Sequence, residues 1–467
     1  MKRALVLLVA ATALSTTCQP IDERTTTQVD AVFADVDSTT SPGAAVAIVR
    51  GTDVLYMNGY GMANLEHGVP ITPQTIFDIA SISKQFAAMT AILLEQEGAI
   101  DFDEAAAATV DQLPDFGETV TLRHLLHHTS GIRDWPHVMQ VAGVQFGDVI
   151  SFEKIKKMLF RQRDLNFSPG SQYAYSNTGY NLLAEVLARR SGKSFRELTE
   201  ERLFVPLEMT HTHFSDDHEE IVVGRAASYE PDGGGFKNST NQLTALASSS
   251  LNTTMEDFTK WMINFETKDL GGPAGLEQLQ ERGVLTTGET IPYALGVRHD
   301  VYRVQPTVGH SGSWRGFRTG FVRFPEQHFS VAVFCNFSTC DPATRIQSIA
   351  DIYLADVLRG DRPAIEEQTA PPPDHPMSED ALEAFAGNYY SPELDTTYEL
   401  VVAEGRLRAD HWRNDSVFLR PVGEQTFEGD AWWFRDVVFS RDETGAVRGF
   451  GLSGDRVMDL RFDRRED

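Results

Sequence analysis

The chain has 467 residues, of which 41 are Lys or Arg and 67 are Asp or Glu, for a formal net charge of -26 with no basic run to interrupt it. That balance excludes nucleic acid as a partner class, which needs a clustered basic footprint, and it disfavours anionic membrane surfaces. A hydrophobic fraction of 41% with 23% charged residues also excludes a disordered or fibrous chain and leaves room for one large enzyme domain with a smaller appendage.

Residues 1–18 read as a secretory signal peptide, because Lys2 and Arg3 precede an apolar stretch from Ala4 to Leu14 that gives way to small and polar residues. About eleven apolar residues are too few for a hydrocarbon core that takes about twenty, so the segment is not expected to span a membrane. Cys18 offers the alternative of a lipid anchor, although Ser15, Thr16 and Thr17 match the usual signal loosely. The expected location is therefore exported, periplasmic or secreted.

GAAVAIVR (Gly43–Arg50) and VLYMNGY (Val54–Tyr60) predict two strands joined at Gly51-Thr52-Asp53. From Ser81 to Glu97, strong helix formers with apolar residues near a 3.6 period predict a helix ended by Gly98. The stretch from about Val120 to Thr254 reads as helices and loops, including Asn181–Arg190, and Glu256–Phe265 continues the helical pattern. Strand patterning returns with YALGVRHD, TGFVRFP and FSVAVFCNF, and a helix from Ala343 to Leu358 closes the domain. Cys335 and Cys340 are close enough to pair after export. With no histidine cluster beside them and no C-x-x-C spacing, no metal site is expected.

Strands at both ends with helices between them predict one mixed α/β domain over residues 28–360, completed by distant parts of the chain. Residues 361–378, with EEQTAPPPDHP, read as a linker. Over residues 379–467, short strand candidates at Tyr398–Val402, Arg406–Ala409, Val417–Leu419, Trp432–Phe434, Val437–Ser440 and Val447–Leu452 predict a small antiparallel β-barrel or curled sheet.

A serine becomes a useful nucleophile only beside a base, and Ser81-Ile82-Ser83-Lys84 puts a lysine one helical turn away on the same face. Alone, S-x-x-K is common and reads as a helix start with a surface lysine. Here Lys84 sits within the apolar FDIASISKQFAAM, where an ammonium loses hydration and its pKa falls. FSPGSQYAYSNTGY places Tyr175 and Asn177 after a Pro169-Gly170 turn, and His310-Ser311-Gly312-Ser313 precedes a strand, where a glycine on an edge lets substrate backbone approach. Each has a plain structural reading as a capped loop or a turn. HLLHHTSG reads as structural despite His124, His127 and His128, and Ser248-Ser249-Ser250 receives no role.

Taken together, Ser81/Lys84, Tyr175/Asn177 and His310/Gly312 resemble the three active-site motifs of the serine β-lactamase and penicillin-binding-protein superfamily, in its class C-like, peptidase S12-like branch. HLLHHTSGIRDW and GHSGSWRGFRTGF add to the resemblance, which covers residues 28–360. It implies an antiparallel sheet flanked by helices plus an all-helical region, and a hydrolase without a cofactor that acts through an acyl-enzyme on a small-molecule or peptide substrate. Catalytic Ser81, Lys84 and Tyr175 would share the proton traffic, with Tyr175 held as an anion-prone phenol by Lys84. Asn177, His310, Gly312 and Ser313 would bind substrate, and the Ser81 and Ser313 amides would form the oxyanion hole. Lysine is usual where His310 stands, so the resemblance points to a D-aminopeptidase, DD-peptidase or esterase more than to antibiotic resistance. The alternative is a β-lactam- or peptidoglycan-binding sensor that acylates with little turnover. AGNYYSPELDTTYEL resembles the lipocalin-like β domains appended to some relatives.

Overall fold

GAAVAIVR is apolar at nearly every position, and such a strand stays out of water only where both of its faces are covered. The computed structural model, which describes residues 23–362, 373 and 375–465, buries it in that way. Strand β1 (Ala44–Arg50) is buried at every position but its last, and it pairs with β2 (Asp53–Tyr60) on one side and a much later strand on the other. The sheet is completed by β3 (Arg298–Tyr302), β4 (Gln305–Trp314), β5 (Phe317–Phe324) and β6 (Phe329–Cys335), in the antiparallel order β3-β4-β5-β6-β1-β2. The expected signal segment with Cys18, and most of the expected linker at 361–378, lie outside the described residues.

Five helices support this sheet and the residues of the candidate site: α1 (Ser83–Gln96), α2 (Trp135–Val141), α3 (Asn177–Ser191), α4 (Met255–Thr267) and α5 (Pro342–Tyr353). The two-residue period of the strands divides the core between them. Ala45, Ala47 and Val49, with Phe321 and Phe334, face α1 and α4 through Phe86, Phe258 and Trp261. Ala44, Val46 and Ile48 face the other way, onto Ile346, Ile349 and Ala350 of α5. Helix α1 is buried continuously from Ser83 to Ile92, so it runs through the protein rather than along its surface. Helix α5 begins with an Asp341 cap on the Thr344 amide and Pro342 in its first turn. Cys335 and Cys340 are disulfide-bonded between β6 and α5.

The C-terminal strands β7 (Gly387–Ser391), β8 (Thr396–Ala403), β9 (Arg406–Asp410), β10 (Val417–Pro421), β11 (Thr426–Ala431), β12 (Phe434–Arg441), β13 (Val447–Gly454) and β14 (Val457–Arg465) form a closed barrel, β14 pairing back onto β7. Closure leaves no free strand edge. Tyr389, Tyr398, Leu400, Phe427, Phe450 and Phe462 fill its interior, and Val138 and Val141 of α2 join the same core. The Tyr398 hydroxyl donates to the Val141 carbonyl at 2.8 Å and the Asn414 amide to the Gln140 carbonyl at 2.7 Å.

Two strand expectations change. Of Tyr293–Asp300 only the part from Arg298 is strand, because Gly296 turns the chain at φ +74° where a Cβ would come within 2.6 Å of the Lys84 carbonyl. Trp432 and Trp433 form the turn between β11 and β12 rather than a strand.

Candidate active site

The regular helix begins at Ser83, not at Ser81 as its sequence pattern predicts. Ser81 lies in a single 3₁₀ turn, Ala80–Ile82, where residues three apart eclipse one another, and Lys84 still falls on its face. Ala80 enters this turn at φ +48°, a conformation that costs an L-residue roughly 1–2 kcal/mol. The Asp78 carboxylate offsets that cost by accepting the Ala80 amide at 2.8 Å, and it also accepts from Asn241 at 2.7 Å. Asn241 accepts in turn from the Trp314 indole at 3.0 Å, so one brace ties the Ser81 turn to the end of β4.

Lys84 is fully buried, and its Nζ has three neighbours: the Ser248 carbonyl at 2.6 Å, Asn177 Oδ1 at 2.8 Å and Ser81 Oγ at 3.1 Å. Burial lowers its pKa well below the ordinary lysine value, the Asp134 charge pulls back up, and the Arg456 charge pulls further down. A neutral amine has two hydrogens and one lone pair. Once Lys84 is neutral, the Ser248 carbonyl and Asn177 Oδ1, both pure acceptors, hold its two hydrogens, and the lone pair is left to face the Ser81 hydroxyl.

Asn177 is the first residue of α3, with Ser176 capping the helix through the Gly179 amide. Its orientation follows from Asp134, whose Oδ1 accepts the Asn177 backbone amide at 2.7 Å and its side-chain amide at 3.0 Å. Asn177 Oδ1 is thereby turned toward Lys84. The side-chain contacts Asn177 makes within the protein are to Lys84 and Asp134. The far side of Asp134 is met by Arg456 of the β13–β14 turn, its Nη1 3.1 Å from Oδ2.

Tyr175 packs against the His128 ring at 4.1 Å between centroids, with Lys84 Nζ over its own ring at 4.8 Å. The hydroxyl is buried without a closed hydrogen bond, and burial holds the phenol above its ordinary pKa even though Ser81 and Arg456 pull against it. Tyr175 is therefore a neutral phenol here. Lys84, expected to hold Tyr175 as an anion-prone phenol, meets its ring face, while the hydrogen bonds of Nζ go to Ser248, Asn177 and Ser81. His128 receives the Ser176 amide on Nδ1 at 3.1 Å and is kept neutral by burial, so HLLHHTSG supplies the backing of Tyr175.

Strand β4 is not the edge of the sheet, but its partner β3 covers only Gln305–Gly309, and among the described residues the segment His310–Trp314 runs on with a free side. Counted from the two-residue Arg315-Gly316 turn, ladder alternation points the Ser313 amide to that free side. A Cβ on Gly312 would overlap the Ile79 carbonyl and the Thr319 hydroxyl, so this glycine admits the chain that carries Ser81. His310 donates from Nδ1 to the Ser311 carbonyl at 2.6 Å and accepts on Nε2 from the Tyr293 hydroxyl at 3.0 Å. Burial brings its pKa down to about 3, and the ring is a neutral wall.

The Ser248 carbonyl, Asp134 and Arg456 were not singled out from the sequence. The first is backbone, and the other two meet across 322 positions of chain.

A model of the Beta-lactamase family matches residues 29–354. The chain is 28% identical over 316 residues to a D-aminopeptidase of Gluconobacter oxydans (strain 621H), covering 66% of this chain and 58% of that protein. It is 26% identical over 374 residues to a D-aminopeptidase of Brucella canis, covering 79% and 67%. The chain thus spans less than two thirds of the Gluconobacter relative's length. Among solved structures, the octameric penicillin-binding protein homologue from Pyrococcus abyssi aligns over 94% of this chain and 99% of its own with a TM-score of 0.63 and 23% identity. The D-amino acid amidase from Ochrobactrum anthropi SV3 aligns over 71% and 99% with a TM-score of 0.61 and 21% identity. These two structures share the fold.

Proposed function

The chain belongs to the Beta-lactamase family, and from that premise we propose that it is a serine hydrolase cleaving amide or peptide bonds through an acyl-enzyme on Ser81. The observation that carries the proposal is the arrangement around Lys84, whose Nζ lies within hydrogen-bond reach of Ser81 Oγ, Asn177 Oδ1 and the Ser248 carbonyl at once. Lys84 takes the Ser81 proton as Oγ bonds to the substrate carbonyl carbon. The oxyanion is met by the Ser81 and Ser313 amides. The C–N bond then breaks, and the leaving nitrogen takes its proton from the neutral Tyr175 phenol, which Lys84 restores. Water attacks the ester carbon and gives a proton to Lys84, which passes it to Ser81 Oγ as the Oγ–C bond breaks and the acid departs.

The substrate class we propose is a D-aminoacyl amide or peptide, supported by the D-aminopeptidase relatives and by a neutral His310 that offers no fixed cation to a β-lactam carboxylate. Export belongs to the same reading, supported by Lys2 and Arg3 ahead of Ala4–Leu14, with lipid attachment at Cys18 as its anchored form. The eight-stranded barrel fits a lipocalin-like domain.

A fluorescent phosphonate probe tests the nucleophile, since wild-type protein should label and a folded Ser81→Ala variant should not. Equal labelling of both would overturn the assignment. D- and L-aminoacyl p-nitroanilides, short esters and nitrocefin, run in parallel, then rank the substrates. A faster L-series would remove the D-specific reading.

A further inference from the structure

The barrel does more than pack on α2, for its β13–β14 turn enters the site. Arg456 accepts the Asp134 amide on its carbonyl at 3.4 Å and the Asn166 side-chain amide at 3.1 Å, while Asn166 takes the Met458 amide at 2.8 Å. Arg133 donates to the Met458 carbonyl at 3.2 and 3.3 Å and fixes the turn from the other side. From this frame the Arg456 guanidinium reaches Asp134, whose side chain is only 2% exposed, and faces the Tyr175 ring at 4.9 Å.

Resting on the serine-hydrolase reading of Ser81 and Lys84, we propose that Arg456, carried on the C-terminal barrel, is a positioning residue of the hydrolase site, holding Asp134 against Asn177 and so Asn177 against Lys84. The contacts run unbroken from Arg456 to Asp134 at 3.1 Å, Asp134 to Asn177 at 3.0 Å, Asn177 to Lys84 at 2.8 Å and Lys84 to Ser81 at 3.1 Å. Both charged groups acting on Lys84 sit in this chain. Its other neighbours are neutral: the Tyr175 and Tyr180 rings, the Ser248 carbonyl, and His128 and His310, both kept uncharged by burial. The anion of Asp134 favours the protonated amine and the cation of Arg456 opposes it.

Opposite signs make the proposal testable. Loss of the Arg456 charge lets Lys84 hold its proton to higher pH, so the acid limb of kcat/KM moves up. Loss of the Asp134 charge moves it down. We expect Arg456→Gln to shift the limb upward by about half a unit to one unit and to lower kcat roughly tenfold with little change in KM. Arg456→Lys should restore most of the limb position. Asp134→Asn should shift the limb the other way, and the double variant should return it toward wild type.

The measurement is a full pH profile of kcat/KM on the best substrate from the panel, with the thermal transition of each variant recorded beside it. A purely structural role would lower activity at all pH values and leave the limb in place. An unmoved limb in folded Arg456→Gln, or limbs that move the same way in Arg456→Gln and Asp134→Asn, would overturn the proposal. Should Arg456→Gln not fold, Asp134→Asn and Arg456→Lys still decide the sign. The Ser81→Ala control separates the two claims: activity surviving in Ser81→Ala defeats the serine reading, whereas an inactive Ser81→Ala beside an unshifted Arg456→Gln defeats this inference alone.

Discussion

The Lys84 side-chain nitrogen lies 2.6 Å from the Ser248 carbonyl oxygen, a closer contact than the 3.1 Å that separates it from Ser81 Oγ. A backbone carbonyl can only accept, so it fixes one Lys84 hydrogen permanently and, with Asn177, aims the remaining position at the nucleophile. Arginine retains its proton throughout the working pH range. Lys84→Arg should therefore lose acylation by about 10²–10⁴-fold at every pH from about 6 to 9. Rapid-mix probe labelling would check this, and an arginine variant that recovers at alkaline pH would contradict the role of a neutral base.

Tyr175 predicts a split between stability and turnover. Its hydroxyl is buried without a closed hydrogen bond, while its ring is held by His128 and Tyr293. Tyr175→Phe keeps the ring contacts and removes a buried polar group, so the folded state should hold or gain about 1 kcal/mol. Turnover should fall by about 10²-fold or more if the phenol supplies the leaving-group proton. Thermal unfolding and kcat measured on one preparation would test both halves.

Acid sensitivity follows from two desolvated imidazoles, the buried His127 and the partly exposed His310. Burial lowers His127 to about 4 and His310 to about 3, whereas an unfolded histidine titrates near 6.5. Below that value the unfolded chain binds protons that the folded protein refuses. Stability present at pH 7 is therefore lost progressively as pH falls from about 6.5 toward these lowered values. Each such histidine steepens the slope by up to about 1.4 kcal/mol per pH unit. Urea unfolding between pH 7 and 5 should show a shallower slope for His127→Gln than for wild type.

What the sequence revealed and what it hid divide along physical lines. Ser81, Lys84, Tyr175, Asn177, His310, Gly312 and Ser313 stand in short segments whose spacing carries the signal, and the structure gathers Ser81, Lys84, Tyr175 and Asn177 around one nitrogen. The Ser248 carbonyl has no side-chain signature, and its loop is shaped by Ala247 and Ser250, both at φ +68°, which residue type alone does not announce. Gly312 was legible as a necessary glycine, but its reason lay in the Ile79 carbonyl on another element. In the barrel, β14 escaped because its alternation slips. Val457 and Leu460 are both buried, three apart, across an irregular register with Asp459 at φ +48°.

The joint between barrel and hydrolase domain carries a last expectation. Arg133 and Glu393 form a salt bridge at 2.8 Å with side chains 1% and 5% exposed, one residue before Asp134 on one side and in the β7–β8 loop on the other. Burial raises the Glu393 pKa, and the Arg133 charge opposes that rise. Removing one partner strands the other charge in a dry site. Arg133→Met should cost about 3–5 kcal/mol, and because Arg133 also clamps the turn that carries Arg456, activity should fall with it. Replacing both partners by apolar residues, Arg133→Met with Glu393→Met, should recover much of the stability, since no charge is left buried. It should not recover the activity, because the Met458 carbonyl still lacks its donor and the turn is released. Urea titrations paired with kcat for the two single variants and the double variant would test this, and a double variant that regained both stability and activity would show that the clamp on the turn is dispensable.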